Sequence, residues 1–145
     1  MDKPFYEFTI QDEALRFEFE SVSDEQTIRK VIRYAETNVL DLYNLSLVDV
    51  LEDGAESDTA VSDNGDMEMV LATVFQTFHV FLNRYPDGLI FFMGSTPART
   101  RLYQIAIRRE LTKALTRFAI RGLTDTGFEL FVVNQTYKAF VIGLR

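Results

Sequence analysis

Apolar residues between positions 67 and 82 recur at steps of three and four, the spacing that turns one face of an α-helix toward a core. They are Met67, Val70, Leu71, Val74, Phe75, Phe78 and Leu82. Asp63, Asn64 and Asp66 suit the N-terminus of this helix, since acidic and amide side chains cap the first turn. Pro86 disfavours helical geometry in the residue before it, so the helix is predicted to end at Tyr85.

A continuous apolar run from Leu89 to Met93 follows and predicts a central strand that is covered on both faces. The sequence Gly94-Ser95-Thr96-Pro97 then opens a second helix, with proline at its first position and Thr or Ser as its cap. This helix ends no later than Gly122. Its expected inward residues are Ala98, Leu102, Ile105 and Ala106.

Strand patterns occupy both ends of the chain. Residues 5–10 and 15–20 alternate with a period of two and predict a β-hairpin. Residues 27–35 fit a helix or a strand, and the strand is preferred because β-branched residues crowd there. Further strands are predicted within 39–51 and in the tail, at Phe118–Leu123, Phe128–Val133 and Tyr137–Leu144.

These elements predict one α+β domain over residues 1–145. N-terminal antiparallel strands precede a helix-strand-helix segment, C-terminal antiparallel strands follow it, and both helices pack on one face of the sheet. A chain of 145 residues with 47% apolar content can bury a core without disulfides or metals. Residues 52–66 are acidic, lack periodicity, and are expected to be a surface loop and the segment most prone to disorder.

Charge is divided unevenly along the chain. The formal net charge of −7 combines −13 over residues 1–96 with +6 over residues 97–145. Two interpretations are open. The acidic and basic parts are two solvated surfaces that partly neutralise each other, or the basic part meets an anionic partner for which the acidic loop competes. The acidic total disfavours nonspecific binding of nucleic acid.

The turn between the apolar strand and the second helix is the candidate site. Backbone N–H groups and the helix dipole favour an anion there, and Ser95 and Thr96 add hydroxyl donors next to Gly94. Arg99 and Arg101 oppose the dipole of the first turn, which indicates a bound anion, internal ion pairs with the chain's own acids, or a solvated face. The predicted anion-binding set has five residues and three secondary candidates: Gly94, Ser95, Thr96, Arg99 and Arg101, with Tyr103, Arg108 and Arg109.

Most familiar catalytic sites are excluded by composition. The chain has no cysteine and a single histidine, so thiolate nucleophiles, cysteine zinc sites and histidine triads are absent. No catalytic residue, metal ligand or cofactor is therefore assigned. The Gly-Ser turn resembles the nucleotidyltransferase signature, but no Asp-x-Asp pair follows it. No secretory signal or membrane-spanning run is recognised, and a cytoplasmic location away from membranes is expected.

The block from Tyr85 to Tyr103, with its Gly-Ser-Thr-x-Ala-Arg-Thr-Arg-Leu-Tyr string from Gly94 onward, resembles the central motif of a bacterial family of small domains of unknown function. The segment Asn64-Gly65-Asp66 before the first helix and the ending Tyr137-Lys138-Ala139-Phe140-Val141 are similar to the same family. The resemblance is clear over residues 60–145. It implies a strand for residues 27–35 and implies no activity.

Together these patterns favour a binding or regulatory module that engages an unidentified protein or an anionic ligand through the turn and the basic helix. One alternative is an enzyme that acts on a phosphorylated or nucleic-acid substrate, with Ser95 or Thr96 at the reacting centre and arginines stabilising negative charge. The other is a structural motif whose arginines tie the helix to the sheet. Association into a homo-oligomer is left open.

Overall fold

The computed structural model describes residues 5–57, 66–94, 96–114 and 117–145. Within these ranges the chain forms two helices, α1 (Met67–Arg84) and α2 (Pro97–Ala114), and a 3-10 turn at Asp12–Ala14. It also forms nine strands: β1 (Thr9–Gln11), β2 (Arg16–Val22), β3 (Thr27–Glu36), β4 (Leu42–Val50), β5 (Glu56–Ser57), β6 (Leu89–Phe92), β7 (Phe118–Thr124), β8 (Gly127–Leu130) and β9 (Phe140–Leu144). Strands stand at both ends with helices between them, so the predicted α+β class is confirmed.

The nine strands of the described ranges form a mostly antiparallel sheet in the order β1-β2-β3-β4-β6-β9-β7-β8, and β5 pairs with β4. The exception is the pair β4–β6, which is parallel from Leu42 opposite Leu89 to Asn44 opposite Phe91. Parallel neighbours cannot be joined by a tight hairpin and need a crossover connection. The chain between β4 and β6 contains α1, and this helix makes the parallel pair feasible.

The predicted N-terminal hairpin is present, but its first strand is shorter than predicted, because β1 is Thr9–Gln11 and residues 5–8 lie outside any strand. β2 pairs antiparallel with β3 from Arg16 opposite Arg33 to Val22 opposite Thr27, and β1 pairs antiparallel with β2. Residues 27–35, which fitted both a helix and a strand, lie in β3. Val31, Ile32 and Tyr34 are buried there, so the β-branched residues decided the element as expected.

The fold divides into two compact units, the first made of Met1–Ala35 and Ser46–Arg84, the second of Glu36–Leu45 and Tyr85–Arg145. The assignment of residues 1–145 to one domain stays a prediction. Each unit has a core of its own, described in turn below.

The first unit is built around α1. The helix begins at Met67 and ends at Arg84, one residue before the predicted end at Tyr85, as Pro86 favours. The predicted cap residues Asp63 and Asn64 lie outside the described residues. The predicted apolar positions of this helix are buried, apart from Met67, which is half-buried. The buried ones are Val70, Leu71, Val74, Phe75, Phe78 and Leu82. Tyr34 of β3 stacks on Phe81 with ring centroids 4.2 Å apart, and its hydroxyl lies 2.7 Å from Thr77 Oγ1. Burial raises the pKa of Tyr34 far above its ordinary value.

A charged pair is buried in the same unit. Lys30 Nζ of β3 lies 2.6 Å from Asp49 Oδ1 of β4, and both side chains are almost fully covered. An ion pair in this setting recovers the desolvation of both groups only while both are present. Lys30 and Asp49 therefore depend on each other for their burial.

The second unit has an aromatic core at the junction of β6 and β9. Phe92 lies 5.3 Å from Phe140 and 5.7 Å from Tyr103, measured between ring centroids. The prediction that the apolar run of β6 is covered on both faces is wrong. Ile90 and Phe92 are buried, whereas Leu89 is 42% exposed. Phe91, on the same face as Leu89, is half-buried, so this face of the strand is only partly covered.

The acidic segment 52–66 is partly structured. Glu56 and Ser57 form β5, which pairs with the end of β4, and the Glu56 carboxylate accepts hydrogen bonds from Arg16 and Arg33. These guanidinium groups lower the pKa of Glu56. At Glu56 and Ser57 the expectation of a loop is therefore wrong, because the carboxylate meets basic side chains of β2 and β3. Residues 58–65, predicted to be prone to disorder, lie outside the described residues.

Candidate functional site

The turn after β6 packs closely against the start of α2, and this packing requires glycine at position 94. A Cβ atom added to the buried Gly94 would lie 2.4 Å from Thr100 N and 2.5 Å from Arg99 Cβ. The first turn of α2 therefore occupies the space that any larger residue would need. The Gly94 N–H donates to Thr100 Oγ1 at 3.0 Å, so this amide is used within the protein. Glycine at this position allows the chain to approach its own helix.

The start of α2 has the predicted cap. Thr96 Oγ1 accepts the N–H of Arg99 at 3.2 Å, and Pro97 is the first helical residue. Thr96 O also accepts the N–H and the hydroxyl of Thr100, at 3.0 and 3.2 Å. The N–H groups of Arg99 and Thr100 are thus satisfied internally, and Pro97 has none. Side chains, more than backbone amides, are left to provide any charge at this end of the helix.

The buried face of α2 differs from the predicted one. Ala106 is buried as expected, but Ala98, Leu102 and Ile105 are exposed. The helix packs instead through Thr100 and Ile107, with the half-buried Tyr103 between them. Tyr103 contacts Phe92, and burial raises its pKa although the nearby charge of Arg99 acts in the opposite direction. Thr100 and Tyr103 carry polar groups, which is why an apolar count placed the stripe on the wrong side.

One side chain of α2 holds the loop between β8 and β9. Gln104 Nε2 donates to Gln135 O, and Gln104 Oε1 accepts the N–H of Tyr137 at 3.3 Å. Tyr137 is 3% exposed, and its ring fills the space above Gly122, where a Cβ would lie 2.3 Å from the ring. The Tyr137 hydroxyl accepts the N–H of Val132 and hydrogen-bonds Glu129, both at 2.9 Å. These contacts fix residues 133–138 beside the helix.

A cavity of about 630 Å³ lies between this loop and the exposed face of α2. We call it the α2 cavity. Its lining is Met93, Gly94, Thr96, Pro97, Thr100, Arg101, Gln104, Ile105, Arg108, Val133, Asn134, Gln135, Thr136, Tyr137 and Lys138. Three of these residues are basic, and none of the described lining residues is Asp, Glu or His.

The basic groups of the α2 cavity differ in their partners. Lys138 forms an ion pair with Asp125, and this pair lowers the pKa of the Asp125 carboxyl. Arg101 and Arg108 are exposed, and neither forms an ion pair within the part of the chain that the structure describes. The cavity therefore offers two guanidinium groups to an external group.

The structure separates the residues of the predicted anion site. Gly94, Thr96 and Arg101 line the α2 cavity, together with the secondary candidate Arg108. The lining does not include Arg99, Tyr103 or Arg109. Arg99 and Tyr103 are each two residues from Arg101, a rotation of about 200° on the helix, and Arg109 is rotated by about 100° from Arg108. Ser95 lies outside the described residues.

The loop that completes the cavity was not predicted from the sequence. Its residues Asn134, Gln135 and Thr136 were predicted as a turn between strands at Phe128–Val133 and Tyr137–Leu144. Both strand predictions are too long, because the strands are Gly127–Leu130 and Phe140–Leu144 and residues 131–139 connect them. Gln104 was not singled out, because a lone glutamine on a helix carries no signal of its distant partner. The Tyr137-Lys138-Ala139-Phe140 ending was the one available signal, and its Tyr137, Ala139 and Phe140 are buried in the second unit.

Two further properties concern the described ranges. No helix there is long and apolar enough to cross a membrane. No group of three or more His, Cys, Asp or Glu side chains in those ranges is placed to hold a metal ion.

The sequence matches the profile of DUF6934, a family of unknown function, over residues 2–145. Comparison with curated proteins and with solved structures finds no match.

Proposed function

The chain belongs to the DUF6934 family, a family of unknown function, and we propose that it is a binding module that takes an anionic ligand in the α2 cavity. The observation that carries this proposal is the charge of the lining, which is basic without a described acid and in which Arg101 and Arg108 form no ion pair with any described residue. A guanidinium group binds carboxylate or phosphate oxygens through two parallel hydrogen bonds.

Most of the other described residues in the Gly94–Tyr103 string have a structural role, which leaves Arg101 as the candidate for binding. Gly94 allows the turn to pack, Thr96 caps α2, Thr100 ties the turn to the helix, and Tyr103 packs on Phe92. The fold thus accounts for these residues of the Gly94–Tyr103 string. Arg101 makes no comparable contact with the described residues, so a role in binding explains its presence better than a role in packing.

Binding is favoured over catalysis by the same lining. Proton transfer at neutral pH usually needs a carboxylate or an imidazole within hydrogen-bond reach of the reacting atom. The described residues of the α2 cavity include neither. We therefore place Arg101 and Arg108 as ligand-binding residues and assign no general base.

The test is ligand-induced stabilisation of the full chain by inorganic pyrophosphate, followed as the shift in melting temperature. A ligand at 100 times its Kd stabilises the folded state by about 2.7 kcal/mol. We expect a dose-dependent rise for the wild type that shrinks as salt is added, because exposed charges are screened. The rise disappears in the double variant Arg101→Gln/Arg108→Gln.

Arg109→Gln is the matched control. Like the single variant Arg108→Gln, it removes one positive charge from the same helix, one residue away, but Arg109 does not line the cavity. An equal loss of the temperature rise in Arg109→Gln and Arg108→Gln would show that overall charge, and not the cavity, binds the anion. That result would reject the proposal.

A further inference from the structure

Two arginines of the α2 cavity stand at a fixed spacing along one helix face. Arg101 and Arg108 are seven residues apart, which is two turns of α2 and about 10 Å along its axis. The Cα–Cβ bonds of a helix tilt toward its N-terminus, so the two side chains leave α2 in the same direction from points about 10 Å apart. Convergence on one compact anion would need them to lean toward each other.

An apolar residue of α2 lies between the two arginines, and the lining holds two further exposed apolar side chains. Ile105 lies between them on the same face and is 43% exposed. Met93 and Val133 also line the cavity, with exposures of 52% and 38%. Gln104, the polar residue of this stretch, is occupied by its bonds to Gln135 and Tyr137. The order along α2 is therefore cation, apolar surface, cation.

Several ligand classes do not fit this order. Tyr137 is almost fully buried and Tyr103 does not line the cavity, so no exposed aromatic face is available to stack a nucleobase. A compact anion would bind to one arginine and leave the apolar side chains exposed to water. A cavity of about 630 Å³ lies within the range of small-molecule sites.

We infer that the ligand of the α2 cavity is an elongated small molecule with an anionic group at each end and an apolar middle, of which a dicarboxylic acid is the simplest form. Arg101 and Arg108 each bind one end, and the middle lies on Ile105. This inference rests on the proposed function and specifies the class of its ligand.

The experiment is calorimetric titration of the full chain with four probes: suberate, octanoate, succinate and inorganic pyrophosphate. Suberate has two carboxylates on an eight-carbon chain, octanoate has one on a chain of equal length, and succinate is too short to reach both arginines. A charge-assisted hydrogen-bonded contact is worth about tenfold or more in affinity. We expect suberate to bind at least about tenfold more tightly than the other three probes.

Single variants test separately the contacts of the ligand's two charged ends and of its apolar middle. Arg101→Gln and Arg108→Gln each lower the affinity for suberate to that for octanoate, and Arg109→Gln leaves it unchanged. Ile105→Gln, at an exposed position where folding is preserved, weakens suberate but not pyrophosphate. Circular dichroism of each variant checks that the fold is intact.

The contrary outcomes are distinct. Tighter binding of pyrophosphate or succinate than of suberate would overturn the two-ended ligand and leave anion binding in place. Binding of the peptide acetyl-Glu-Leu-Ala-Glu-amide without binding of suberate would overturn the small-molecule class. Binding of none of these probes would overturn the inference and the proposed function together.

Discussion

Thr100→Val tests how the turn and α2 are held together. Thr100 is 5% exposed, its Oγ1 accepts the N–H of the buried Gly94 at 3.0 Å, and its hydroxyl donates to Thr96 O at 3.2 Å. Valine has nearly the same shape but can form neither bond. The Gly94 N–H would then be buried without a partner, at a cost of about 1–3 kcal/mol.

The second lost bond is less costly, because Thr96 O still accepts the N–H of Thr100 at 3.0 Å. Together the losses predict a decrease of about 2–3 kcal/mol in the free energy of unfolding. For a chain of this length the melting temperature falls by roughly 5–10 °C. Urea denaturation followed by circular dichroism gives the free energy, and differential scanning calorimetry gives the melting temperature.

Thr100→Ser is the matched control, because it keeps the hydroxyl and removes only a methyl group. We expect it to cost about 1 kcal/mol, the value of one buried methyl or methylene group. Equal stability of Thr100→Val and Thr100→Ser would refute the reasoning, since the hydroxyl would then contribute nothing to holding the turn.

Three other predictions concern both units. Gly94→Ala should lower the free energy of unfolding by about 1–3 kcal/mol in urea denaturation, because its Cβ meets helix backbone. Gly143→Ala should lower it by less, because its Cβ meets the flexible end of a leucine side chain. The reverse order of the two variants would contradict the packing. Lys30→Met should lower the free energy of unfolding by about 3–5 kcal/mol, because it leaves Asp49 buried without its cation. A decrease below about 1 kcal/mol would show that the ion pair is dispensable. Tyr34 has its pKa raised by burial from the ordinary value of 10.0, so its contribution to stability is complete below pH 10 and is lost as the pH rises above it. Above pH 10 each further pH unit lowers the free energy of unfolding by about 1.4 kcal/mol through this group. The free energy of unfolding of Tyr34→Phe should therefore depend less steeply on pH between pH 9 and pH 11. An unchanged slope would assign the loss of stability to other groups.

Local signals in the sequence were sufficient for most secondary structure. The 3.6-residue stripe and Pro86 gave both ends of α1, and Thr96-Pro97 gave the start of α2. Each of these signals acts within a few residues along the chain. They fail where a partner is distant, and the parallel pair β4–β6 left no local trace.

The candidate site shows the same division. Arg101 was singled out as a cation in the first turn of a helix, where it would oppose the dipole, but α2 begins at Pro97 and Arg101 is its fifth residue, just beyond that turn. Arg99 carries the same signal but does not line the α2 cavity, since two residues of helix turn it to another side. Pairing of Gln104 with Gln135 and Tyr137 crosses more than thirty residues, and no spacing rule predicts it.

The most direct test of anion binding in the α2 cavity is a titration of the full chain with suberate, followed by NMR of the arginine Nε–Hε groups. Each arginine gives its own signal, and charge-assisted hydrogen bonding to a carboxylate shifts it. We predict that the signals of Arg101 and Arg108 shift together along one saturating curve while those of Arg109 and Arg121 stay in place. Shifts of equal size at all four arginines, or no shift at Arg101 and Arg108, would contradict the proposed site.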